Sequence, residues 1–509
     1  MSRMGRRVSA ARGLRAGLAL LALGSLVGCA WARGERRLVI AHPLPLATTA
    51  LRDPAHNRNA FNILSNVYEA LVQRGPDLSL QPALAESWYS PDARTWVFKL
   101  RHGVRRHDGR VLTAGDVVAS LEKSLHDSWT AGALASVSGV VARGDEIVFS
   151  TREPTDTLPA RLVYVAVSGL PEPDGATGPY RIRSWTPGGS IVLEAFADYR
   201  GGRPAIGAVE FQVVPDPRER ARRLMRGEAH LIEDIAPDDM PALLAARGLK
   251  VVARPGFSTA FLGMDTARER TPYVDRPANP FRDPRVREAI DRAVDRQDLV
   301  TGPLRGYAEP VQQLALPGQI GFEPALQSQP RDETRARQLL KEAGYPDGFE
   351  VPLDSMDGLL DDVVATLAHQ LAPVGIRVRP RSGDPGRFLT RIERRDTSLY
   401  LLRWIQPSQE IHESYMWLLH SPGDAFGTMN AGAYSNARLD RLLEESAHEA
   451  SEEQRGALLR EATAIVHAER PILPLYREND LYAFSTDLDF TPEPYQQFGT
   501  PLCRMRWKD

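Results

Sequence analysis

The apolar residues of this 509-residue chain form only one long stretch, residues 16–27, close to the N-terminus. These 12 residues are too few to cross the hydrocarbon core of a bilayer, which requires about 20. After residue 28 no stretch approaches the roughly 18 apolar residues of a spanning helix. The rest of the chain is therefore expected to bury its apolar side chains in globular cores, and its length predicts two to four domains.

Residues 1–28 have the pattern of an export signal. A basic segment, residues 1–15, precedes the apolar stretch, which ends in Leu26-Val27-Gly28-Cys29. This ending resembles the lipobox of bacterial lipoproteins, and the resemblance implies cleavage before Cys29 and a lipid attached to its sulfur. The alternative is an ordinary signal peptide followed by a coincidental cysteine.

The charge balance and the cysteine count exclude several classes of protein. The whole chain has a net charge of −2; without the five arginines of residues 1–28, 58 basic residues face 65 acidic ones, a net charge of −7. A mildly acidic protein is a poor partner for a phosphate backbone, so nucleic-acid binding is not expected. Two cysteines, Cys29 and Cys503, exclude a Cys-based zinc site, and no cofactor or metal is predicted.

Helix and strand patterns are mixed along the chain without a long βαβ regularity. Alternating or short apolar runs predict strands over residues 38–41, 96–100, 146–150, 180–185, 190–196, 209–214 and 261–264. Helical spacing predicts helices over residues 59–72, 113–125, 218–226, 285–300, 332–343 and 359–371, with later helices within 439–470. We therefore predict α/β and α+β lobes joined by several chain crossings.

Short motifs follow one another in a set order along nearly the whole chain. Each is weak alone and has a structural interpretation as a turn or a cap, but their order and spacing together are specific. They include Val67-Tyr68-Glu69-Ala70-Leu71, Trp96-Val97-Phe98-Lys99-Leu100, His107-Asp108-Gly109, Thr177-Gly178-Pro179-Tyr180, Phe281-Arg282-Asp283-Pro284, Glu342-Ala343-Gly344-Tyr345-Pro346, Tyr434-Ser435-Asn436 and Pro471-Ile472-Leu473-Pro474.

This series resembles family 5 of the bacterial extracellular solute-binding proteins, the oligopeptide, dipeptide and nickel-binding cluster that serves ABC importers. The resemblance implies an α/β fold, a periplasmic-binding-protein-like two-lobed clamp of type II with an extra accessory domain. After a signal peptide (1–28) and a tether (29–37), it implies lobe I at 38–52, 174–264 and 475–509. The accessory domain would span 53–173 and lobe II 265–474, with a hinge near Met264–Asp265 and Pro474–Leu475.

The function implied by the resemblance is that of a substrate-binding lipoprotein of an ABC importer. Such a protein captures a peptide or another small polar solute between its lobes and delivers it to a membrane permease driven by ATPase subunits. It would be an exported monomer, in the periplasm or on the outer cell face, held to a membrane by its lipid. The alternatives are a binding protein for a metal chelate or another non-peptide solute, and a ligand sensor without an importer. An enzyme is not expected, because the sequence lacks a Gly-x-Ser-x-Gly elbow, a His-Glu-x-x-His helix and a P-loop.

One segment of the chain departs from the family's peptide binders. These carry Gly-Trp-x-Ala-Asp-Tyr, in which the Asp pairs with the α-amino group of the ligand. Here the tryptophan is kept as Trp404, but the position of the Asp falls on Pro407. An ammonium buried without its counter-ion costs on the order of 3–5 kcal/mol. Either Glu410 or Glu413 substitutes for the Asp, or the ligand has no free α-amino group.

The candidate ligand-binding residues lie around this segment and in two of the motifs. Trp404 would stack on a ligand or else pack in a core, and Arg403 would hold a carboxylate bidentately or else lie on the surface. Glu410 and Glu413, three residues apart, would share one face of a helix, towards the ligand or towards solvent. Two tyrosines in the family motifs would bind or only pack: Tyr180 and Tyr434.

Overall fold

The computed structural model describes most of the chain beyond the predicted export signal. It covers residues 36–508 except 45, 47–48, 50–57, 76–78, 127–129, 131–132, 135, 156, 170–172, 327–328, 357–359, 407–410, 424–425, 450 and 493–500. Cys29, Pro407 and Glu410 lie outside the described residues. No helix within them is long and apolar enough to cross a membrane.

The described residues form 21 strands. In chain order they are β1 (Leu38–His42), β2 (Glu69–Ala70), β3 (Val72–Arg74), β4 (Leu80–Pro82), β5 (Ala85–Asp92), β6 (Thr95–Leu100), β7 (Val137–Arg143), β8 (Glu146–Thr151), β9 (Ala166–Val167), β10 (Tyr180–Trp185), β11 (Ile191–Ala195), β12 (Ala208–Val213), β13 (Leu231–Glu233), β14 (Leu249–Met264), β15 (Ala308–Pro310), β16 (Phe349–Met356), β17 (Ile376–Gly383), β18 (Leu399–Ile405), β19 (Ile472–Ser485), β20 (Leu488–Asp489) and β21 (Arg506–Trp507).

The same residues form 13 α-helices. In chain order they are α1 (Arg58–Leu64), α2 (Ala114–Leu125), α3 (Leu158–Leu162), α4 (Pro217–Met225), α5 (Met240–Ala245), α6 (Pro284–Ala293), α7 (Arg296–Thr301), α8 (Glu333–Glu342), α9 (Asp361–Leu371), α10 (Pro385–Glu393), α11 (Ile411–Leu418), α12 (Ala437–His448) and α13 (Glu452–Glu469).

Eleven strands form one large mixed sheet in the order β10-β11-β12-β1-β13-β19-β14-β18-β16-β17, with β15 pairing to β19. We call β10, β11, β12, β1 and β13 the first half of this sheet and β18, β16 and β17 the second half. The two longest strands, β14 with 16 residues and β19 with 14, run antiparallel between the halves and join them. Each half buries its own apolar core, because helices cover its faces. The mixed α/β architecture predicted from the sequence is confirmed.

A separate four-stranded antiparallel sheet, β5-β6-β8-β7, has a core of its own together with α2 and α3. The helix predicted over 113–125 is α2, which begins with a capping box: the Asp116 amide donates to Thr113 Oγ1 at 3.1 Å, and the Thr113 amide donates to Asp116 Oδ2 at 2.9 Å. This sheet lies within the range predicted for the accessory domain. The domain bounds themselves stay predictions.

Two of the predicted helices are wrong in extent. Helix α1 ends at Leu64 instead of continuing to residue 72, because the carbonyls of Asn66 and Val67 accept hydrogen bonds from the amides of Tyr180 and Gly178 at 3.0 and 2.9 Å. The helix predicted over 285–300 is two helices, α6 and α7. Asp295 caps the second one by accepting a hydrogen bond from the Asp298 amide at 3.0 Å. The strand predicted over 261–264 is only the end of β14.

Candidate ligand-binding cleft

The carboxyl ends of parallel strands in both halves of the large sheet point towards one region. In the first half, β1 and β13 run parallel and end at His42 and Glu233. In the second half, β16, β17 and β18 run parallel, and β18 ends at Ile405. Because β18 is antiparallel to β14 and β13 is antiparallel to β19, the two sets of strand ends face each other. Open α/β sheets bind ligands outside such ends, so we place the candidate cleft here.

The floor of this cleft is an irregular part of the β14–β19 pair. Ile405 of β18 is level with Ser258, whereas Glu233 of β13 is level with Tyr482. Between these levels the β14–β19 register shifts, because four steps along β14, from Pro255 to Thr259, match two steps along β19. A shift of this kind bends a sheet locally. At Gly256 an added Cβ would lie 2.8 Å from the Glu478 carbonyl oxygen, so only glycine fits there.

Trp404 lies near the end of β18, where the buried strand meets the cleft. Its side chain is half-buried against the core of α11, α12 and α13. The indole Nε1 donates a hydrogen bond to Ser414 Oγ at 2.9 Å, and its ring is perpendicular to that of Trp417, with centroids 5.9 Å apart. Edge-to-face packing of this kind stabilises aromatic pairs. Trp404 therefore has a set orientation at the cleft.

Arg403 lies on the opposite face of the sheet from Trp404. In the β14–β18 pair Trp404 is opposite Thr259 and Arg403 is opposite Ala260, and successive residues of a strand point to opposite faces. The Arg403 guanidinium forms an ion pair with the Glu478 carboxylate. Burial acts to lower the pKa of Arg403, but Glu478 more than offsets it, so the pKa is raised. Arg403 already has a counter-ion within the protein.

Glu413 lies in the first turn of α11 and contacts the four-stranded sheet unit. Its Oε1 atom is 3.8 Å from Nε of Arg161 in α3, and both side chains are less than a quarter exposed. Tyr164, two residues after α3, is half-buried, and its partial burial raises the pKa of its phenol. Glu410, the other predicted carboxylate, belongs to the segment outside the described residues. The predicted exchange of either carboxylate for the family Asp stays a prediction.

The two predicted tyrosines lie in cores. Tyr180 is fully buried among the apolar residues of the first half of the sheet, and its hydroxyl donates to the Ile206 carbonyl oxygen at 3.0 Å. Tyr434 is buried beside α12, and its hydroxyl donates to Glu469 Oε2 at 2.7 Å. Burial raises the pKa of both phenols. Tyr180 lies in a different core from Trp404, whereas Tyr434 belongs to the core against which Trp404 packs. The predicted role of both tyrosines in binding stays a prediction.

The structure adds residues that sequence reasoning missed. His42 is buried at the carboxyl end of β1, and burial lowers the pKa of its imidazole to about 4. Glu478 and Arg161 enter through their ion pairs with two predicted residues. For His42 the available sequence signal was its position at the end of a predicted strand. Glu478 and Arg161 gave no such signal, because they are far in sequence from Arg403 and Glu413. In the described part of the chain, no group of three or more His, Cys, Asp or Glu side chains is arranged to hold a metal ion.

Comparison with known proteins gives one consistent family. A family model described as bacterial extracellular solute-binding proteins, family 5 Middle, matches residues 79–426. The glutathione-binding protein GsiB of Salmonella choleraesuis is 27% identical over 498 residues, which cover 92% of this chain and 94% of that protein.

Solved structures agree in fold. DppA of Helicobacter pylori, in complex with the peptide STSA, has a TM-score of 0.79 at 21% identity and covers 93% of this chain and 98% of that one. NikA of Staphylococcus aureus, in complex with Ni(L-His)2, has a TM-score of 0.79 at 20% identity and covers 93% and 100%. The predicted class, a type II periplasmic-binding-protein fold, is confirmed. The chain belongs to family 5 of the bacterial extracellular solute-binding proteins.

Proposed function

We propose that this chain is the substrate-binding lipoprotein of an ABC importer, which captures a peptide or another small polar solute between two closing lobes. The observation that carries the proposal is that the two sets of strand ends face each other across the irregular segment of β14 and β19. The first half of the large sheet would belong to lobe I and the second half to lobe II. We place the bend of the clamp at Pro255–Thr259, within β14, rather than at Met264–Asp265.

The proposed ligand is a short peptide or a glutathione-like solute. GsiB, which aligns over 92% of this chain, is named as a glutathione-binding protein. The family Asp that pairs with a ligand α-amino group is Pro407 here, and proline has no side-chain acceptor. Arg403 and Arg161 both have carboxylate partners within the protein. These features favour a solute whose α-amino group needs no partner at position 407.

Capture would proceed by a shift between open and closed forms. A ligand that binds the closed cleft better than the open one increases the closed population. The closed form would be held by contacts between α11 and α3, such as the Glu413–Arg161 pair. Release into the importer would follow when the permease binds both lobes and favours the open form.

The remaining parts of the proposal concern location and partners. The lipid on Cys29 would tether an exported monomer to a membrane, in the periplasm or on the outer cell face. Its partners would be the permease and ATPase subunits of an importer, and it would leave its ligand chemically unchanged. Substitution of Cys29 by serine is expected to abolish incorporation of labelled fatty acid and to release the protein from the membrane fraction. Membrane retention of the C29S variant would contradict the lipid anchor.

Native mass spectrometry of protein that begins after Cys29, purified without added ligand, tests the ligand class. A spread of bound masses that match short peptides, or the mass of glutathione, is the expected result. One discrete non-peptide mass, such as a metal chelate, would contradict the peptide proposal and support the alternative. Small-angle scattering then tests closure: the radius of gyration should fall when the identified ligand is saturating, and superimposable curves would count against capture by lobe closure.

A further inference from the structure

Helix α11 carries one exposed aromatic side chain among mostly buried neighbours. Its residues Ile411, Ser414 and Tyr415 are fully buried, whereas the Trp417 side chain is 39% exposed. A single exposed apolar side chain is ordinary on a protein surface. An exposed indole that is also held in a fixed orientation beside a candidate cleft is informative, because it keeps a large apolar face open to solvent.

The orientation of Trp417 is set by its neighbours. Its ring is perpendicular to that of Trp404, with an interplanar angle of 89° and centroids 5.9 Å apart. Trp404 is in turn held by the hydrogen bond from its Nε1 to Ser414 Oγ. The backbone carbonyl of Trp417 accepts a hydrogen bond from the Met429 amide at 3.0 Å. The open indole face of Trp417 is therefore pre-organised, so contact with a solute costs little side-chain entropy.

Trp417 contacts Trp404 near the end of β18 and lies on the same helix face as Glu413. It follows Glu413 by four residues, so the two side chains share one face of the helix. Glu413 forms an ion pair with Arg161 of α3, which belongs to the four-stranded sheet unit. The charges of Glu413 and Arg161 neutralise each other. The surface formed by Trp417, Glu413 and Arg161 therefore offers a solute an apolar indole and no unpaired charge.

We propose that Trp417 is a specificity-determining residue of the cleft, and that the captured solute presents an apolar group, aromatic by preference, to its indole. The inference rests on the proposed function and deepens it by naming the part of the solute that is selected. The solute class is a short peptide or glutathione conjugate with an apolar or aromatic substituent.

Two pairs of probes that differ only in such a group test the inference: glutathione with S-benzylglutathione, and Ala-Ala-Ala with Ala-Phe-Ala. Their Kd values are measured by calorimetry on the full chain purified in mild detergent. In at least one pair the aromatic member is expected to bind about tenfold more tightly, since an aromatic contact adds to the buried area. In the W417A variant this advantage should fall below about threefold.

Control variants separate recognition from folding. The W417F variant retains an aromatic ring and should keep most of the advantage. Y89A removes another exposed aromatic side chain, on β5 of the four-stranded sheet, and should leave the advantage unchanged. Equal affinities within both pairs, or an advantage that survives in W417A, would overturn the role of Trp417. Failure of all four probes to bind would contradict the proposed ligand class, a short peptide or a glutathione-like solute, and this inference with it.

Discussion

Nε of Arg161 and Oε1 of Glu413 lie 3.8 Å apart, although α3 packs with the four-stranded sheet and α11 packs on the second half of the large sheet. A second contact joins the same two parts, because Nε2 of His448 lies 3.1 Å from Oε2 of Glu153. The Arg161–Glu413 pair is the more shielded of the two from solvent. It links the wall of the candidate cleft that carries Trp404 and Trp417 to the neighbouring unit.

The first prediction concerns this link. In the E413Q variant Arg161 loses its carboxylate, and the loss of a partly shielded pair is worth about 1 kcal/mol. If the pair holds the closed form, glutathione affinity should fall about fivefold. The radius of gyration of the unliganded protein should rise, and both changes are measured by calorimetry and small-angle scattering.

A charge exchange and a matched pair elsewhere serve as controls. The double variant R161E/E413R should recover part of the affinity that either single variant loses, which a double-mutant cycle would quantify. E194Q breaks the exposed Arg181–Glu194 pair between β10 and β11 and should leave affinity unchanged. Additive losses in the double variant would show that the two residues do not act as a pair.

The second prediction separates two roles of Trp404. Because its indole packs on the core and donates to Ser414, W404A should lower the free energy of unfolding by about 2 kcal/mol as well as weaken solute binding at least tenfold. W404F keeps most of the packing and loses only the hydrogen bond, which is worth about 1 kcal/mol. A W404F variant with near-normal stability and strongly reduced affinity would indicate direct recognition. Normal affinity in both variants would exclude a binding role.

Much of the fold was readable from local sequence signals. The helix predicted over 113–125 and the strands predicted over 180–185 and 190–196 depend on residues close together in the chain, and the structure has all three. The predicted end of the helix over 59–72 was wrong, because the helix ends where Asn66 and Val67 accept hydrogen bonds from the amides of Tyr180 and Gly178, more than a hundred residues later. Only the tertiary structure brings those amides to Asn66 and Val67.

The candidate site was less readable than the fold. Trp404 and Arg403 are adjacent in sequence, and sequence reasoning gave each a role at the ligand as one of two alternatives, with a core position for Trp404 and a surface position for Arg403 as the other. The strand places them on opposite faces, and Arg403 pairs with Glu478 of β19. Neither the strand that lies beside β18 nor its register follows from local pattern, because both depend on chain crossings over long distances. Trp417 carried no family motif, and only its exposure beside Trp404 draws attention to it.

The third prediction concerns Gly178 in the Thr177-Gly178-Pro179-Tyr180 motif. An added Cβ at Gly178 would lie 2.5 Å from the Val67 carbonyl oxygen, which is fixed by its own hydrogen bond from the Gly178 amide. G178A is therefore expected to lower the free energy of unfolding by about 3 kcal/mol, measured by urea denaturation. The control is G139A, because nothing lies within 4 Å of a Cβ added at Gly139 in β7. Equal stability of the two variants would contradict the close approach at Gly178.

The fourth prediction follows from a buried histidine beside Glu413. Burial lowers the pKa of His412 to about 3, and the charges of Arg161 and Arg455 act in the same direction. Its Nδ1 lies 2.9 Å from Ser446 Oγ. In the unfolded chain a histidine has a pKa of about 6.5. Between these two values the unfolded state binds a proton that the folded state does not, so stability falls as the pH falls.

From pH 7 to pH 5 this single histidine should lower the free energy of unfolding by about 2 kcal/mol. In H412Q that contribution disappears, so the difference in unfolding free energy between pH 7 and pH 5 should shrink by the same amount, whatever the variant's stability at pH 7. The pKa of His42 is lowered to about 4, so His42 also lowers the free energy of unfolding as the pH falls, in H412Q as in the unsubstituted chain. Denaturation curves at the two pH values measure the difference, and an identical pH dependence in H412Q and the unsubstituted chain would show that His412 is protonated equally in the folded and unfolded states.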